Sequence, residues 1–453
     1  MNLSFPKIKQ FFFDYGILVL ILFAVLLRIW WLNAPIERDE GHFGYEGWLI
    51  TQGDYPEYSI DNKLIGLYLY YAIPISFHNS IYSVRLFTNT LYLISLYFLY
   101  RLFCKLFDKQ ISLHLLLFYI MATNVPMLEG YLVMAESISL IFLVFLISAL
   151  HNYLSTRRVI YLFFHIVSTG IFLTLKQHNW ILFVAYPFIF LFLWKKLNLE
   201  NTTFKKKFLV GYLLLVGFLG VIFYSLFFEQ VFYFFNFLQY SFQFDISYVP
   251  FFHFFLAIVQ VFFILIYLVY AIIFTFKSRR IITVYSFILF LIFSLASFIP
   301  KGFSHQYQYM IIPSLFLIGS YFKQIPKKIP NWYIVSFFLL IFGVFLFLQS
   351  PDYSVRLPFF EYYFQDTPSL EKQMDISEQL FLYNESTVYL LNWEPAIAWL
   401  GEKRIVNFLP LGNCDAVDSV VLRNQLVVIY PYYINKCNLN LDKIKRENKI
   451  IIK

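Results

Sequence analysis

The run Glu37-Arg38-Asp39-Glu40-Gly41-His42-Phe43 follows directly on a long apolar stretch. Acidic groups beside a hydrocarbon phase are costly to hold unless something uses them. Adjacent Asp39 and Glu40 suit one kind of chemistry. A carboxylate within hydrogen-bond reach of a hydroxyl takes its proton as the oxygen attacks carbon. If the group displaced is a phosphate, already a stable anion, no general acid is needed. Charge compensation by Lys, Arg or a divalent cation is needed instead. The bland alternative is that Asp39 and Glu40, like Asp54, Glu57 and Asp61, are solvated loop charges.

The elements that position these residues are membrane helices. Hydrophobic residues make up 60% of the 453-residue chain and charged residues only 14%, against about 25% charged in soluble domains. Mean hydropathy is +0.65. Apolar stretches predict about eleven spans, at 16–35, 81–103, 111–127, 131–150, 159–175, 179–194, 208–228, 251–276, 281–299, 307–322 and 332–349. Leu64–Phe77 is short and contains Pro74, so it reads as an interfacial or re-entrant helix. The abundant Phe and Tyr read as lipid-facing and interfacial rings.

Charge bias sets the orientation. With the N-terminus inside, most Lys and Arg fall in cytoplasmic segments, among them Arg101, Lys105, Arg157, Arg158, Lys195, Lys196, Lys205, Lys206 and Lys207. This positive-inside pattern absorbs most of the +8 net charge and argues against nucleic acid as a partner. It leaves a few outward cations for another purpose: Lys63, Lys176, Lys301, and Arg85 just inside a span. Lys176 also fits a snorkelling helix end, and Arg28 either snorkels or pairs within the bundle. Glu136, inside a span, is a functional candidate by default, with a structural pair to Arg85 or Arg28 as the alternative. His305, Gln306 and Tyr307 open the tenth span on the outer side.

Two domains are expected: a transmembrane bundle over 1–349, with a polar first outer loop at 36–80, and a small extracytoplasmic α/β domain over 350–453. Within the first loop, Phe43–Thr51 has helical spacing. In the tail, Thr387–Asn392 and a run from Val420 or Leu426 to Tyr430 read as strands and Glu394–Leu400 as a short helix. Cys414 and Cys437 fall on the outer side, where either a disulfide or two free thiols is chemically permitted. The first span has no small-residue cleavage site and reads as a retained anchor. No Gly-rich phosphate loop or tightly spaced metal motif is present.

In order along the chain, several segments resemble protein O-mannosyltransferases and the related aminoarabinose-transferase-like bacterial enzymes of the GT-C superfamily. They are Asp39-Glu40-Gly41-His42-Phe43-Gly44-Tyr45, Gly53-Asp54-Tyr55-Pro56 through Asp61-Asn62-Lys63, and Ser83-Val84-Arg85-Leu86. Met134-Ala135-Glu136, Lys176-Gln177, Gln306-Tyr307 through Pro313, and Asn392-Trp393-Glu394-Pro395 with Trp399–Arg404 complete the set. The resemblance implies a GT-C fold, a polyprenyl-phosphate sugar donor and an inverting transfer at the outer face of a bacterial inner membrane. The acceptor would be an envelope lipid, lipopolysaccharide or protein. It assigns Asp39 as base and Glu40 as its neighbour, a metal ligand or acceptor contact. Lys63 and Arg85 become donor-phosphate groups, joined by the outward Lys176 and Lys301. His42, Tyr45, Glu136, His305, Gln306 and Tyr307 become further pocket residues. A divalent metal is one option, with Asp39, Glu40 or Glu136 as ligands. Two departures stand out. Leu64-Ile65 replaces the family's Pro-Pro after the Lys, and the large lumenal insert of eukaryotic members is missing. The competing reading is a polytopic transporter or lipid-linked-sugar flippase, which would place its polar groups near the bilayer midplane.

Overall fold

The computed structural model describes residues 5–54, 64–124, 132–197, 262–278, 281–298, 304–324, 370–390, 395–408, 426–429 and 449–452. The chain forms two compact units, each built from separated segments. One contains Met1–Arg28, Tyr58–Gly66 and Thr88–Leu348; the other contains Ile29–Glu57, Leu67–Phe87 and Gln349–Lys453. Most of segment 36–80, apart from Tyr58–Gly66, therefore groups with the C-terminal region.

The first unit is helical. It takes most of α1 (Phe5–Trp31), α4 (Ile81–Leu106) from Thr88 onward, α5 (Lys109–Ala122), α6 (Ala135–Thr156), α7 (Val159–Leu175) and α8 (Leu182–Lys196). A 3-10 turn, Gln177–Ile181, joins α7 to α8. Further along lie α9 (Phe262–Ser278), α10 (Ile281–Phe298), a second 3-10 turn (Ser304–Met310) and α11 (Ile311–Phe322). Among the described residues, three helical stretches are long and apolar enough to cross a membrane: Ile81–Leu106, Ala135–Thr156 and Asn179–Lys196. The expected spans at 208–228 and 332–349 lie outside the described residues, as does much of 251–276.

Burial shows which solvent these helices were built for. Along α7, Ile160, Phe163, Phe164 and Val167 are exposed while His165, Ser168 and Thr169 are buried. That i, i+3, i+4, i+7 stripe is apolar on the outside and polar on the inside, the reverse of a helix on a water-soluble core. The His165 ring is satisfied by the Leu146 carbonyl at 2.9 Å and the Tyr186 hydroxyl at 2.7 Å. Helix α6 is apolar on every side and buried almost throughout, as the central helix of a bundle should be.

The second unit contains α2 (Arg38–Thr51), most of α3 (Ile65–Phe77), the first turns of α4, α12 (Leu370–Phe381), α13 (Pro395–Leu400) and one sheet. Its strands are β1 (Thr387–Leu390), β2 (Arg404–Phe408), β3 (Leu426–Ile429) and β4 (Lys449–Ile452), in the order β2-β1-β3-β4. All pairs are parallel, with Thr387 opposite Arg404 and Val427 opposite Ile450. Parallel neighbours need a crossover connection, and α13 supplies it between β1 and β2. The strand segments at 387 and 426 and the short helix match the expected α/β tail. Strands β2 and β4 escape a pattern reading because each opens on a basic residue beside other polar residues. Helix α3 is 13 residues long with Pro74 inside it, in keeping with a short non-spanning helix.

Candidate functional site

The acidic run is not a loop. Glu37 is extended (φ −69°, ψ 154°) and its carboxylate accepts the Asp39 N–H at 2.6 Å, capping α2. The helix thus begins at Arg38, five residues before the periodicity at Phe43 suggests. Acids in a first turn complement the positive end of the helix dipole, which is why this charge density is compatible with helix here.

Capping separates the two adjacent acids. Asp39 is partly exposed, and among the described residues its carboxylate has no hydrogen-bond or ion-pair partner. Glu40 is fully buried and paired with buried Arg85: Nε to Oε1 at 3.1 Å and Nη2 to Oε2 at 2.6 Å. The remaining Arg85 donors reach the carbonyls of Leu32 at 2.8 Å, Pro35 at 3.0 Å, and Ala34. A guanidinium carries five N–H donors, and here five acceptor atoms meet them. The cation that the resemblance assigns to a donor phosphate is spent on protein groups. Burial raises the Tyr71 phenol well above its ordinary range, and the nearby Glu40 charge adds to the rise.

The C-terminal elements pack directly on α2. Gly41, Gly44 and Gly47 recur every three residues and remove side chains from one flank. A Cβ at Gly41 would lie 2.8 Å from Ala396 Cβ, and one at Gly44 would enter the Trp399 ring. One at Gly47 would lie 2.7 Å from Tyr71 Cβ, on α3. Trp399 is wholly buried and its Nε1 donates to Asn79 at 2.7 Å. The Tyr45 hydroxyl accepts the Ile405 N–H at 2.8 Å. Gln373 donates to the Ile36 carbonyl at 2.9 Å and accepts the Ile36 N–H at 2.8 Å, so α12 grips the segment whose carbonyls hold Arg85. Asp54, expected to be simply solvated, pairs with Arg404 at 2.6 Å. His42 is buried beside the Phe43 and Tyr68 rings.

A separate polar cluster lies within the first unit. Lys176, extended at the end of α7, donates to Glu136 in the first turn of α6, and both are buried. Glu136 therefore pairs with neither Arg85 nor Arg28, and Lys176 does not snorkel. Asn179, in the turn that follows, donates to Ser139 Oγ at 2.8 Å and to the Phe172 carbonyl. Its Oδ1 accepts the Tyr309 hydroxyl at 2.7 Å, tying the two 3-10 turns together. Tyr307 is buried in the second turn, which also contains His305 and Gln306. Lys63, Lys301, Cys414 and Cys437 lie outside the described residues.

Gln373, Asn79, Asn179, Tyr309 and Trp399 were not foreseen as site residues. The Gly-x-x-Gly-x-x-Gly spacing in α2 was the one available signal, since small residues at helical spacing mark a close helix approach. Of the three carboxylates considered for a metal, Glu40 and Glu136 are each committed to a cation. Among the described residues no group of three or more His, Cys, Asp or Glu could hold a metal ion.

No protein-family model matches this sequence, and no curated protein matches it either. Solved structures of the Archaeoglobus fulgidus oligosaccharyltransferase are similar in part. The apo form is 12% identical with a TM-score of 0.47, over 90% of this chain and 66% of that one. The complex with Zn and sulfate is 14% identical with a TM-score of 0.41, over 86% and 62%. The form tethered to an acceptor peptide with an NVT sequon is 12% identical with a TM-score of 0.43, over 88% and 64%. This chain thus spans less than two thirds of that protein's length. Similarity at this level assigns no chemistry to it.

Proposed function

We propose that this chain is an integral-membrane glycosyltransferase of the GT-C type. It moves a sugar from a polyprenyl-phosphate donor to an envelope acceptor (lipid, lipopolysaccharide or protein) on the extracytoplasmic side. The acceptor oxygen bonds to the anomeric carbon as the bond from that carbon to the phosphate oxygen breaks. The electron pair leaves with the polyprenyl phosphate, the proton passes to Asp39, and the anomeric centre inverts. The observation that supports this reading best is the split between neighbouring acids: Glu40 is locked to Arg85, while Asp39 is partly exposed and uncommitted among the described residues. Glu40 and Arg85 then act as the frame that fixes the first turn of α2. Compensation of the donor phosphate falls to lysines, with Lys63, Lys176 and Lys301 the proposed set. Glu136 is the buried counter-charge that Lys176 meets.

General-base catalysis contributes about 10²–10⁴-fold. Asp39→Asn should lower the sugar content of the envelope in a complemented deletion strain by a factor in that range, at unchanged protein level. Normal envelope glycan with Asp39→Asn would remove Asp39 from the mechanism. The buried Glu136–Lys176 pair is the observation that favours the transporter reading instead. Lipid-linked-sugar flipping by purified protein in liposomes, with no sugar transferred, would select that alternative.

A further inference from the structure

Helix α12 changes character along its exposed face. The exposed positions are Glu371, Lys372, Asp375 and Glu378, then Phe381 and Leu382. Positions 371, 375 and 378 form one helical stripe, and Leu382 continues it in the turn that closes the helix. Charge therefore gives way to hydrocarbon within about one turn. Phe381 is 58% exposed and Leu382 80%. Ile376 and Leu380 are wholly buried, so the core contact of α12 is made by its other face.

Principles of span length fix where this tip lies. A Cβ on Gly401 would meet Leu380 Cβ at 2.9 Å, and the Lys403 ammonium donates to the Tyr383 carbonyl at 2.7 Å. The residues around that turn also hold Asn79, which donates to Glu402 Oε1 at 3.3 Å and accepts the Trp399 Nε1–H at 2.7 Å. Asn79 stands two residues before α4, a helix long and apolar enough to cross a membrane. The end of such a helix lies near the edge of the hydrocarbon. In the first turns of α4 the exposed Tyr82 and Leu86 are four residues apart. Along α3 the exposed Leu69, Ile73 and Phe77 also recur every four residues, and Phe77 is 87% exposed. Exposed apolar stripes thus run up to Asn79 from both sides in sequence, and the tip of α12 is tied to the turn that Asn79 holds.

We propose that Phe381 and Leu382 anchor the C-terminal region in the membrane, both side chains entering the boundary between headgroups and acyl chains beside the start of α4. Lipid is the occupant because the patch continues the apolar faces of α3 and α4, and because charge resumes one turn away at Glu378. Glu371, Asp375 and Glu378 offer anionic headgroups no attraction, so the contact is hydrophobic and independent of lipid charge. Helix α12 also carries Gln373, which holds both backbone polar groups of Ile36. The anchor therefore ties the segment before α2 to the membrane surface. It stands whether or not the chain transfers sugar.

The test uses the full chain in nanodiscs, with Cys104, Cys414 and Cys437 changed to Ser. A solvent-sensitive fluorophore is attached through Leu382→Cys or, as the control at the charged end of α12, through Glu371→Cys. Lipids spin-labelled near the top of the acyl chain should quench the probe at 382, and soluble iodide should lose most of its effect there. The probe at 371 should show the opposite order. Replacing zwitterionic by anionic lipid should leave both patterns unchanged. Where the cysteine-free chain does not fold, a benzophenone amino acid placed at 382 in the otherwise native chain should give lipid adducts on irradiation. Equal iodide quenching at 382 and 371 would overturn the proposal. So would cross-links from 382 to a second copy of the chain in place of lipid.

Discussion

Two buried ion pairs, one in each unit, solve the same problem differently. Glu40–Arg85 is a fork with every guanidinium donor engaged: two on the carboxylate and three on the carbonyls of Leu32, Ala34 and Pro35. Glu136–Lys176 joins a carboxylate to a compact point charge on a flexible stem. Arg fixes geometry through its planar fork, whereas Lys offers a movable charge. The first pair therefore reads as a frame. The second places a compact charge pair at the junction of α7 and the following turn.

Breaking the frame should cost most. Arg85→Leu leaves the Glu40 carboxylate buried without its cation and takes the Arg85 donors from three carbonyls, so about 3–5 kcal/mol of stability should be lost. Thermal unfolding in detergent reads this as a large fall in Tm, and Arg85→Lys should recover only part of it because the fork is gone. The second pair should respond differently. Lys176→Met alone should cost a comparable ~3 kcal/mol. Adding Glu136→Gln should restore much of that stability without restoring activity, because the desolvated charge disappears while the cation stays missing. A double variant as unstable as the single one would contradict this contrast. The smallest effect tests how the frame is held against the C-terminal elements. Gly44→Ala forces a methyl into the Trp399 ring and should cost about 1–3 kcal/mol. The same change at exposed Gly53, whose φ is +85°, meets no neighbouring atom and acts through backbone strain alone. If Gly44→Ala were neutral in Tm, the close approach of α13 to α2 would be wrong.

Legibility followed the range of the forces involved. Helices at 81–106, 159–175 and 281–298 stood out because apolar runs of span length are a local property. The α/β character of the tail was visible in short aliphatic runs. Strands β2 and β4 were not, because Arg404 and Lys449 open them and the apolar content that follows is brief. The start of α2 was missed for a related reason: dense acids beside an apolar stretch look like loop until Glu37 is seen capping the Asp39 N–H.

From sequence alone, the class of solvent, the order of the polar segments and the presence of acids beside the first long helix were determined, since each depends on residues adjacent in the chain. Which acid is held and which is left available was decided by the tertiary structure. Arg85 lies 45 positions from Glu40, and Gln373 lies 337 from Ile36. Partners that distant meet only where helices approach closely enough, and the approach depends on the packing of Gly41 and Gly44 against Ala396 and Trp399. Charge pairing and packing act through space, so a one-dimensional pattern names the groups without saying which of them meet.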